Sequence, residues 1–247
     1  MDVTLYTMPL SHPGWSVRLA LARKGVEAKV VDLPAGLHPG LLWLRGFRRG
    51  TVPSARIDGR RVEGSLELVR ELERLVPEPP LYPADPAARA AVEEAERWGE
   101  GTFQNLPRQV ARYAIAHDLT TREWLNREHV GLPLPKVSAV LATPVALGMA
   151  ARSDANASGA TSALAALPAA LDHVDELLAA GTLGDDDGPN AAGVQIAPTV
   201  RLITANADMR ELTDGRPCAA WAERLLPDYP LTPGSAAIAK LRREHAA

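Results

Sequence analysis

Short β-prone runs near the start of the chain alternate with a stretch of helical spacing. Residues 3–6 (Val-Thr-Leu-Tyr) and 28–32 (Ala-Lys-Val-Val-Asp) are rich in residues that favour strands. Between them, residues 15–24 carry apolar positions at helical spacing, and Gly25 follows as a helix stop. This order predicts a βαβ unit with parallel strands and a right-handed crossover.

A tight hairpin followed by a helix is predicted over residues 51–65, after an irregular, partly helical connection. Asp58-Gly59 lies between two short β-capable runs, a strong signal for a two-residue turn. Pro53 opens the first of these runs, and the bond before a proline is the kind that adopts cis readily. Ser65 precedes an amphipathic helix, so its hydroxyl and the first free N–H groups form a potential anion site.

The remaining chain predicts helices without strands. Pro83 and Pro86 mark a boundary between a first domain, residues 1–80, and an all-helical domain, residues 86–247. Helical composition or spacing covers several segments, namely residues 86–118 (one helix, or two halves broken around Gly99–Gly101 and Pro107), 120–147 (one or two), 164–178, 190–203 (capped by Asn190 or a neighbour) and 215–226, with a proline-containing tail after them. The most apolar stretch, residues 137–150, is too short to span a bilayer and predicts a buried helix.

Composition is that of an ordinary globular protein, with 46% hydrophobic and 23% charged residues in 247. A net charge of −3 gives no global indication of a nucleic-acid or membrane partner. Six arginines between Arg45 and Arg61 are either a solvated edge or a field that attracts a small anion. The start of the chain lacks a basic region followed by an apolar run, so we expect a cytoplasmic protein without a signal peptide.

Metal and disulfide chemistry find little support in the sequence. Cys218 is the single cysteine, so a disulfide framework and a cysteine metal site are excluded. The acidic turn at residues 185–187 lacks the spaced ligand pattern of a calcium loop. A thiol–disulfide oxidoreductase needs a cysteine at the start of the first helix, where this chain has Ser11.

Three first-domain features together resemble the thioredoxin-like domain of glutathione transferases. They are residues 11–26 (SHPGWSVRLALARKGV), the Val52-Pro53 pair, and Ser65 at a helix start. The first of these is similar to the serine-bearing segment of zeta- and theta-like members. The resemblance implies an α/β thioredoxin-like domain with a βαβ-α-ββα order and a mixed sheet, followed by an all-α helical bundle.

By this resemblance Ser11 takes the place of the catalytic serine. A hydroxyl beside a positive helix terminus donates to a thiolate and lowers the pKa of the thiol. The alternative is that Ser11 only caps the helix, and Ser16 is a second candidate inside it. His12 is a candidate base, or an additional donor to an anion.

The same resemblance assigns the cosubstrate subsite. Val52 offers its backbone N–H and C=O to the cysteinyl part of glutathione, ahead of a cis Pro53. Ser65 binds the γ-glutamyl carboxylate. Gly64 belongs to the same subsite, but most relatives carry an acidic or amide residue there, so one contact to glutathione is missing and another thiol is an alternative.

Trp98, Phe103 and Arg108 are candidates for the electrophile pocket in the second domain. Trp98 and Phe103 line a cleft against the first domain or belong to the core. Asn105, Arg108 and Arg112 lie three and four residues apart and share one helix face. That face points into the cleft or into solvent.

The leading hypothesis is a glutathione-transferase-like enzyme without a tightly bound cofactor. It activates a thiol cosubstrate for attack on a small electrophile, as in detoxification, or for isomerisation of the maleylacetoacetate type. The resemblance also implies a homodimer. The alternative is a non-catalytic member that binds small ligands or acts as an interaction module.

Overall fold

The computed structural model describes residues 1–185 and 188–245. Its first part is a four-stranded sheet in the order β2-β1-β3-β4. Strand β1 (Val3–Thr7) pairs in parallel with β2 (Lys29–Asp32) and antiparallel with β3 (Ser54–Ile57), which in turn pairs antiparallel with β4 (Arg60–Glu63). The helices of this part are α1 (His12–Arg23), α2 (His38–Leu44) and α3 (Ser65–Leu75). The predicted mixed sheet and its element order are confirmed.

The hairpin between β3 and β4 has the predicted turn. Asp58 and Gly59 both have positive φ, 46° and 84°, which is the pattern of a type I′ turn. Ile57 therefore pairs with Arg60. The Val52–Pro53 peptide bond just before the hairpin is cis.

Helices make up most of the second part. In chain order they are α4 (Pro86–Trp98), α5 (Asn105–His117), α6 (Leu119–Leu125), α7 (Pro135–Leu141), α8 (Thr143–Ala151), α9 (Ala157–Ala179), α10 (Ala191–Ala205), α11 (Pro217–Leu225) and α12 (Ala236–His245). Two π-helical segments, Gly99–Phe103 and Asn126–Val130, follow α4 and α6. A small ladder joins β5 (Gly184–Asp185) to β6 (Gly188–Pro189). Helix α12 lies beyond the last predicted helix, in the proline-containing tail.

The core is continuous between the two parts because α10 lies at its centre. Every residue of α10 is buried, and the helix packs against α1, α4 and α11. Asn190 caps it as predicted, since its side-chain oxygen accepts from the N–H of Gly193 at 3.1 Å. The position of α10 holds the start of α1 close to the second part of the chain.

The apolar stretch at residues 137–150 forms two short helices, α7 and α8, instead of one buried helix. Its small residues Ala139, Ala146 and Ala150 are buried, whereas Val137 and Leu141 are 52% and 74% exposed. Helix α8 packs against α5. The expected buried helix was wrong because only an alanine face of the stretch meets the rest of the protein.

Among the described residues, no helix combines the length and the apolar character that crossing a bilayer requires. Asp186 and Asp187, two of the three aspartates of the acidic turn considered above, lie outside the described residues.

Candidate functional site

A cavity of about 720 Å³ opens between the sheet domain and the helices. Its first-domain wall contains the six residues that the sequence assigned to thiol binding and activation, which are Ser11, His12, Val52, Pro53, Gly64 and Ser65. Its second-domain wall includes Glu100, Gln104, Arg108 and Arg112. The cavity thus brings together residues that lie almost one hundred positions apart in the sequence, such as Ser11 and Arg108.

Ser11 is the N-cap of α1, and its hydroxyl oxygen accepts from the N–H of Gly14 at 3.2 Å. Among the described residues, no acceptor takes the proton of this hydroxyl. The capping and donating roles, which the sequence left as alternatives, are therefore compatible in one side chain. Ser16, the other serine considered, is buried inside α1, with its hydroxyl 3.4 Å from the carbonyl oxygen of His12.

His12 is buried at the junction of the two walls. Its Nε2 lies 3.4 Å from Nη2 of Arg108, and because a guanidinium only donates, Nε2 is the acceptor. Burial, followed by the positive charges of Arg108 and Arg112, holds the pKa of His12 well below its ordinary value. The ring is neutral near pH 7, so it does not attract an anion by charge.

Val52 lines the cavity and is also packed against a small apolar cluster of the first domain. Neither its N–H nor its C=O makes a backbone hydrogen bond within the described part of the chain. The cis bond to Pro53 is followed by a hydrogen bond in which Gly64 N–H donates to the Pro53 carbonyl at 3.0 Å. An unused donor and acceptor pair is what an extended peptide ligand pairs with.

Ser65 does not cap α3 with its hydroxyl, contrary to the sequence-based expectation. Gly64 occupies the N-cap position, and Ser65 is the first helical residue. The Ser65 hydroxyl donates to Oε2 of Glu100 at 3.0 Å and accepts from Nε2 of Gln195 at 3.1 Å. Gln195 also donates to Glu100. The one proton of the hydroxyl is thus already taken by a carboxylate of this chain.

Gly64 has a backbone conformation that favours glycine. Its φ of 104° is accessible mainly to glycine, and a Cβ would lie 2.3 Å from Oε2 of Glu67. Glu67 is held there by Arg49, whose Nη1 donates to Glu67 at 2.8 Å and to the Glu63 carbonyl at 3.1 Å. The exposed Glu67 carboxylate can move aside, so the positive φ is the main reason for glycine at this position.

Most arginines of the cluster at residues 45–61 contact groups at the surface around the hairpin. Arg56 and Arg61 donate to the carbonyl oxygen of Arg45, and Arg60 pairs with Glu71 at 2.8 Å. Arg49 is the member of the cluster that lines the cavity, and it is paired with Glu67. The contacts favour the solvated-edge interpretation for most of the cluster.

The helix face that carries Arg108 and Arg112 points into the cavity, because both residues line it. Arg108 donates to side-chain oxygens of Gln104 at 2.6 Å and Asn105 at 2.8 Å. Burial, and then the charge of Arg112, lowers the pKa of Arg108 to about 10, which Glu100 partly opposes. Burial also lowers the pKa of Arg112.

Trp98 and Phe103, expected as candidates for the electrophile pocket, do not line the cavity. Phe103 is 0% exposed, and its ring stacks on Trp98 with centroids 5.0 Å apart. Trp98 meets His173 of α9 edge-on at 4.7 Å. The two aromatic rings fill the space between α4 and α9. They therefore belong to the core, which was the alternative interpretation from the sequence.

Glu100 and Gln104 were missed by sequence reasoning, although a signal for them exists. Glu100, Gln104, Arg108 and Arg112 follow one another at intervals of four residues. Such spacing places polar side chains on one helical face. The signal was obscured by Gly99 and Gly101, which suggested a break, whereas the chain continues there as a π-helical segment.

The fold and the cavity define a class of protein in which a thioredoxin-like domain is followed by a helical domain with a site between them. Residues 5–80 match the family model described as "Glutathione S-transferase, N-terminal domain". The chain is 35% identical over 92 residues to maleylacetoacetate isomerase from Mus musculus, covering 36% of this chain and 43% of that protein. It is 39% identical over 124 residues to glutathione S-transferase 1 from Dianthus caryophyllus, covering 49% and 56%. The chain thus spans about half the length of the curated relatives that it matches.

Solved structures extend the likeness to the whole fold. The beta-etherase LigF from Sphingobium sp. strain SYK-6 superposes with a TM-score of 0.67 at 18% identity, covering 99% of this chain and 100% of that one. A Tau class glutathione S-transferase from mango gives 0.62 at 13% identity, covering 98% of each chain. Because these structures are below 25% identical to this chain, they show a shared fold, while the match to the glutathione S-transferase N-terminal domain is confined to residues 5–80.

Proposed function

We propose that the chain is a glutathione-dependent transferase or isomerase, with the thiol held on the first-domain wall. The observation that carries this proposal is Ser11, which lines the cavity at the start of α1 and whose hydroxyl proton has no acceptor among the described residues. The unused N–H and C=O of Val52 lie on the same wall and support it. The related sequences, a glutathione S-transferase and maleylacetoacetate isomerases, agree with this class of reaction.

Ser11 acts by stabilising the thiolate. The N–H of Gly14 donates to its oxygen, and the hydroxyl proton is then free to be donated to sulfur. A hydrogen bond to the charged form, together with the positive end of α1, lowers the pKa of the bound thiol. The thiol proton leaves to solvent, so Ser11 keeps its own proton throughout.

Two outcomes follow from the same thiolate. In a transferase reaction, sulfur forms a bond to the electrophilic carbon and the leaving group departs with the bonding electron pair. In an isomerase reaction, sulfur adds to a carbon–carbon double bond, the resulting single bond rotates, and sulfur is expelled again. The second-domain wall, with Arg108, provides the face against which the electrophile is held.

The test combines binding and turnover. Isothermal titration calorimetry with glutathione should show saturable binding, and conjugation of 1-chloro-2,4-dinitrobenzene should be catalysed by the same preparation. Failure of both measurements on folded protein would exclude glutathione as the cosubstrate. The same measurements with cysteinylglycine, which lacks the γ-glutamyl group, distinguish a protein that does not recognise this group from one that binds no thiol at all.

A second candidate is a non-catalytic member that binds a small ligand in the cavity. It is favoured by one observation, the use of the Ser65 hydroxyl proton by Glu100, which leaves that hydroxyl no proton for a ligand carboxylate. Binding of glutathione or of an apolar dye without any turnover would support this candidate. Catalysed conjugation would exclude it.

We also propose that the chain forms a homodimer, in keeping with the family. Sedimentation equilibrium at micromolar concentration should give twice the chain mass of 26.4 kDa. A monomeric mass under these conditions would overturn this part of the proposal.

A further inference from the structure

The second-domain wall of the cavity carries a positive charge that the protein itself does not neutralise. Arg112 lines the cavity, is partly buried, and makes no hydrogen bond or ion pair with any described residue. Arg108, one helical turn earlier, donates only to the neutral groups of Gln104, Asn105 and His12. Two guanidinium groups therefore face the cavity without a bonded carboxylate.

The acidic side chains of the cavity are occupied elsewhere. Glu67 pairs with Arg49 at 2.8 Å, and Glu100 accepts from Ser65 at 3.0 Å. Asp208 accepts from the N–H of Ser235 at 2.9 Å. Glu100 acts on Arg108 through space without a direct bond. The charge of Arg112 is thus left uncompensated within the described part of the chain.

Two histidines of the cavity wall, His12 and His38, lie near this charge, and both side chains are buried. The charge of Arg112 acts on both His38 and His12 and, after burial, is a cause of their lowered pKa values. Both rings are neutral near pH 7, so neither competes with the arginines for an anion.

An unpaired guanidinium withdrawn from water is unfavourable, and its planar fork matches a carboxylate. We propose that Arg108 and Arg112 form a subsite for a carboxylate of the electrophile, so that the second substrate is an organic acid. Arg108 contacts His12, the residue that follows Ser11, so the bound acid lies beside the thiolate that Ser11 stabilises. This inference rests on the proposed function and assigns the chemical class of its second substrate.

The first experiment compares two electrophiles of similar size, the anionic 4-chloro-3,5-dinitrobenzoate and the neutral 4-chloro-3,5-dinitrobenzamide, with glutathione as the thiol. The benzoate should have the higher kcat/KM relative to its uncatalysed rate. Arg112→Gln should lower this preference by about tenfold, as expected for loss of one charge-assisted contact, with the benzamide little changed. Arg112→Lys, which keeps the charge but not the fork, should recover part of it.

Arg97→Gln is the matched control because Arg97 is an exposed arginine of the same domain that does not line the cavity. It should leave the preference unchanged. If Arg97→Gln lost the preference for the benzoate to the same extent, the effect would come from the overall charge of the domain, and the proposal would be overturned. An equal loss for benzoate and benzamide in Arg112→Gln would do the same.

Glutathione also contains carboxylates, so Arg112 could bind glutathione instead of the electrophile. The glutathione KM distinguishes these two cases. If the electrophile supplies the carboxylate, Arg112→Gln leaves the glutathione KM unchanged while the benzoate KM rises. A rise confined to the glutathione KM would assign Arg112 to the thiol cosubstrate and overturn the proposal.

A binding measurement separates this inference from the proposed function. Calorimetry with the unreactive 3,5-dinitrobenzoate and 3,5-dinitrobenzamide needs neither thiol nor turnover. The benzoate should bind more tightly than the benzamide, and Arg112→Gln should weaken benzoate binding about tenfold. This result would support the carboxylate subsite even in a protein without conjugating activity. Equal binding of the two compounds, or absence of binding for both, would refute the subsite and leave the thiol chemistry of Ser11 untouched.

Discussion

The first-domain wall and the second-domain wall of the cavity are constructed differently. The first uses backbone geometry, with Ser11 at a helix cap and Val52 before a cis proline. The second uses side chains from consecutive turns of helix, at Glu100, Gln104 and Arg112 among others. A cap or a turn depends on a few adjacent residues, whereas a helix face acquires its role from whatever it packs against. The first wall was therefore assigned from sequence, and the second was not.

The two walls also differ in how their charges are satisfied. On the first wall Arg49 is paired with Glu67, and the groups proposed to bind a thiol are neutral hydroxyl and peptide groups. On the second wall Arg112 has no carboxylate bonded to it among the described residues. The proposed thiol subsite thus depends on hydrogen bonds and a helix dipole, and the proposed carboxylate subsite depends on net charge.

Ser11→Ala is expected to have the largest effect on the first wall. Loss of a hydrogen bond to the thiolate, which contributes about 1.5–3 kcal/mol, should lower kcat/KM with glutathione by about 10- to 100-fold. The midpoint of the pH–rate profile should move upward because the bound thiol becomes less acidic. Steady-state kinetics as a function of pH measure both quantities.

Ser11 is also a helix cap, so two further variants separate the roles. Ser11→Ala should cost about 1 kcal/mol of stability, whereas Ser11→Asp keeps a cap and should retain stability while losing activity. Ser11→Thr keeps the hydroxyl and should retain most turnover. Unchanged turnover in Ser11→Ala would reduce Ser11 to a cap.

Glu100→Gln should have an intermediate effect, because Glu100 brings a negative charge from the second wall to Ser65 on the first. This charge attracts the ammonium of a γ-glutamyl group and repels its carboxylate. The variant should therefore lower about tenfold the preference for glutathione over an analogue whose γ-glutamyl amine is replaced by hydrogen. Calorimetric Kd values for both ligands measure it. An unchanged ratio would show that Glu100 does not contact this end of the ligand.

The smallest expected effect concerns stability at the junction of the walls. The pKa of His12 is depressed in the folded protein, by burial and then by Arg108 and Arg112, below the ordinary value of 6.5 that it regains on unfolding. The unfolded chain therefore binds more protons as pH falls below this value, and the free energy of unfolding decreases in that direction. The contribution of one proton is at most about 1.4 kcal/mol per pH unit.

His12→Gln removes this contribution while keeping an acceptor for Arg108. Urea unfolding at about pH 5 and about pH 7.5, on either side of the ordinary histidine value, should show a smaller pH dependence in the variant. His38 and His129 also have lowered pKa values, chiefly by burial, so part of the dependence remains in both proteins. Identical pH dependence in the two proteins would contradict the assignment.

Several expectations drawn from the sequence agree with the structure, and each depends on local geometry. The Asp58-Gly59 turn joins β3 to β4, and Asn190 caps α10. These features follow from which backbone angles and caps a few neighbouring residues allow. The family resemblance rested on the same kind of local feature.

Other properties were decided only when the helices packed. Trp98 and Phe103 are core, the α7–α8 region is partly exposed, and the Ser65 hydroxyl meets Glu100 from 35 residues away. Helical spacing shows which side chains share a face but not which neighbour that face will meet. The sequence by itself determined the thioredoxin-like domain and predicted the place where a thiol would bind. The tertiary structure decided which charges face that place, because burial and pairing are properties of the packed chain.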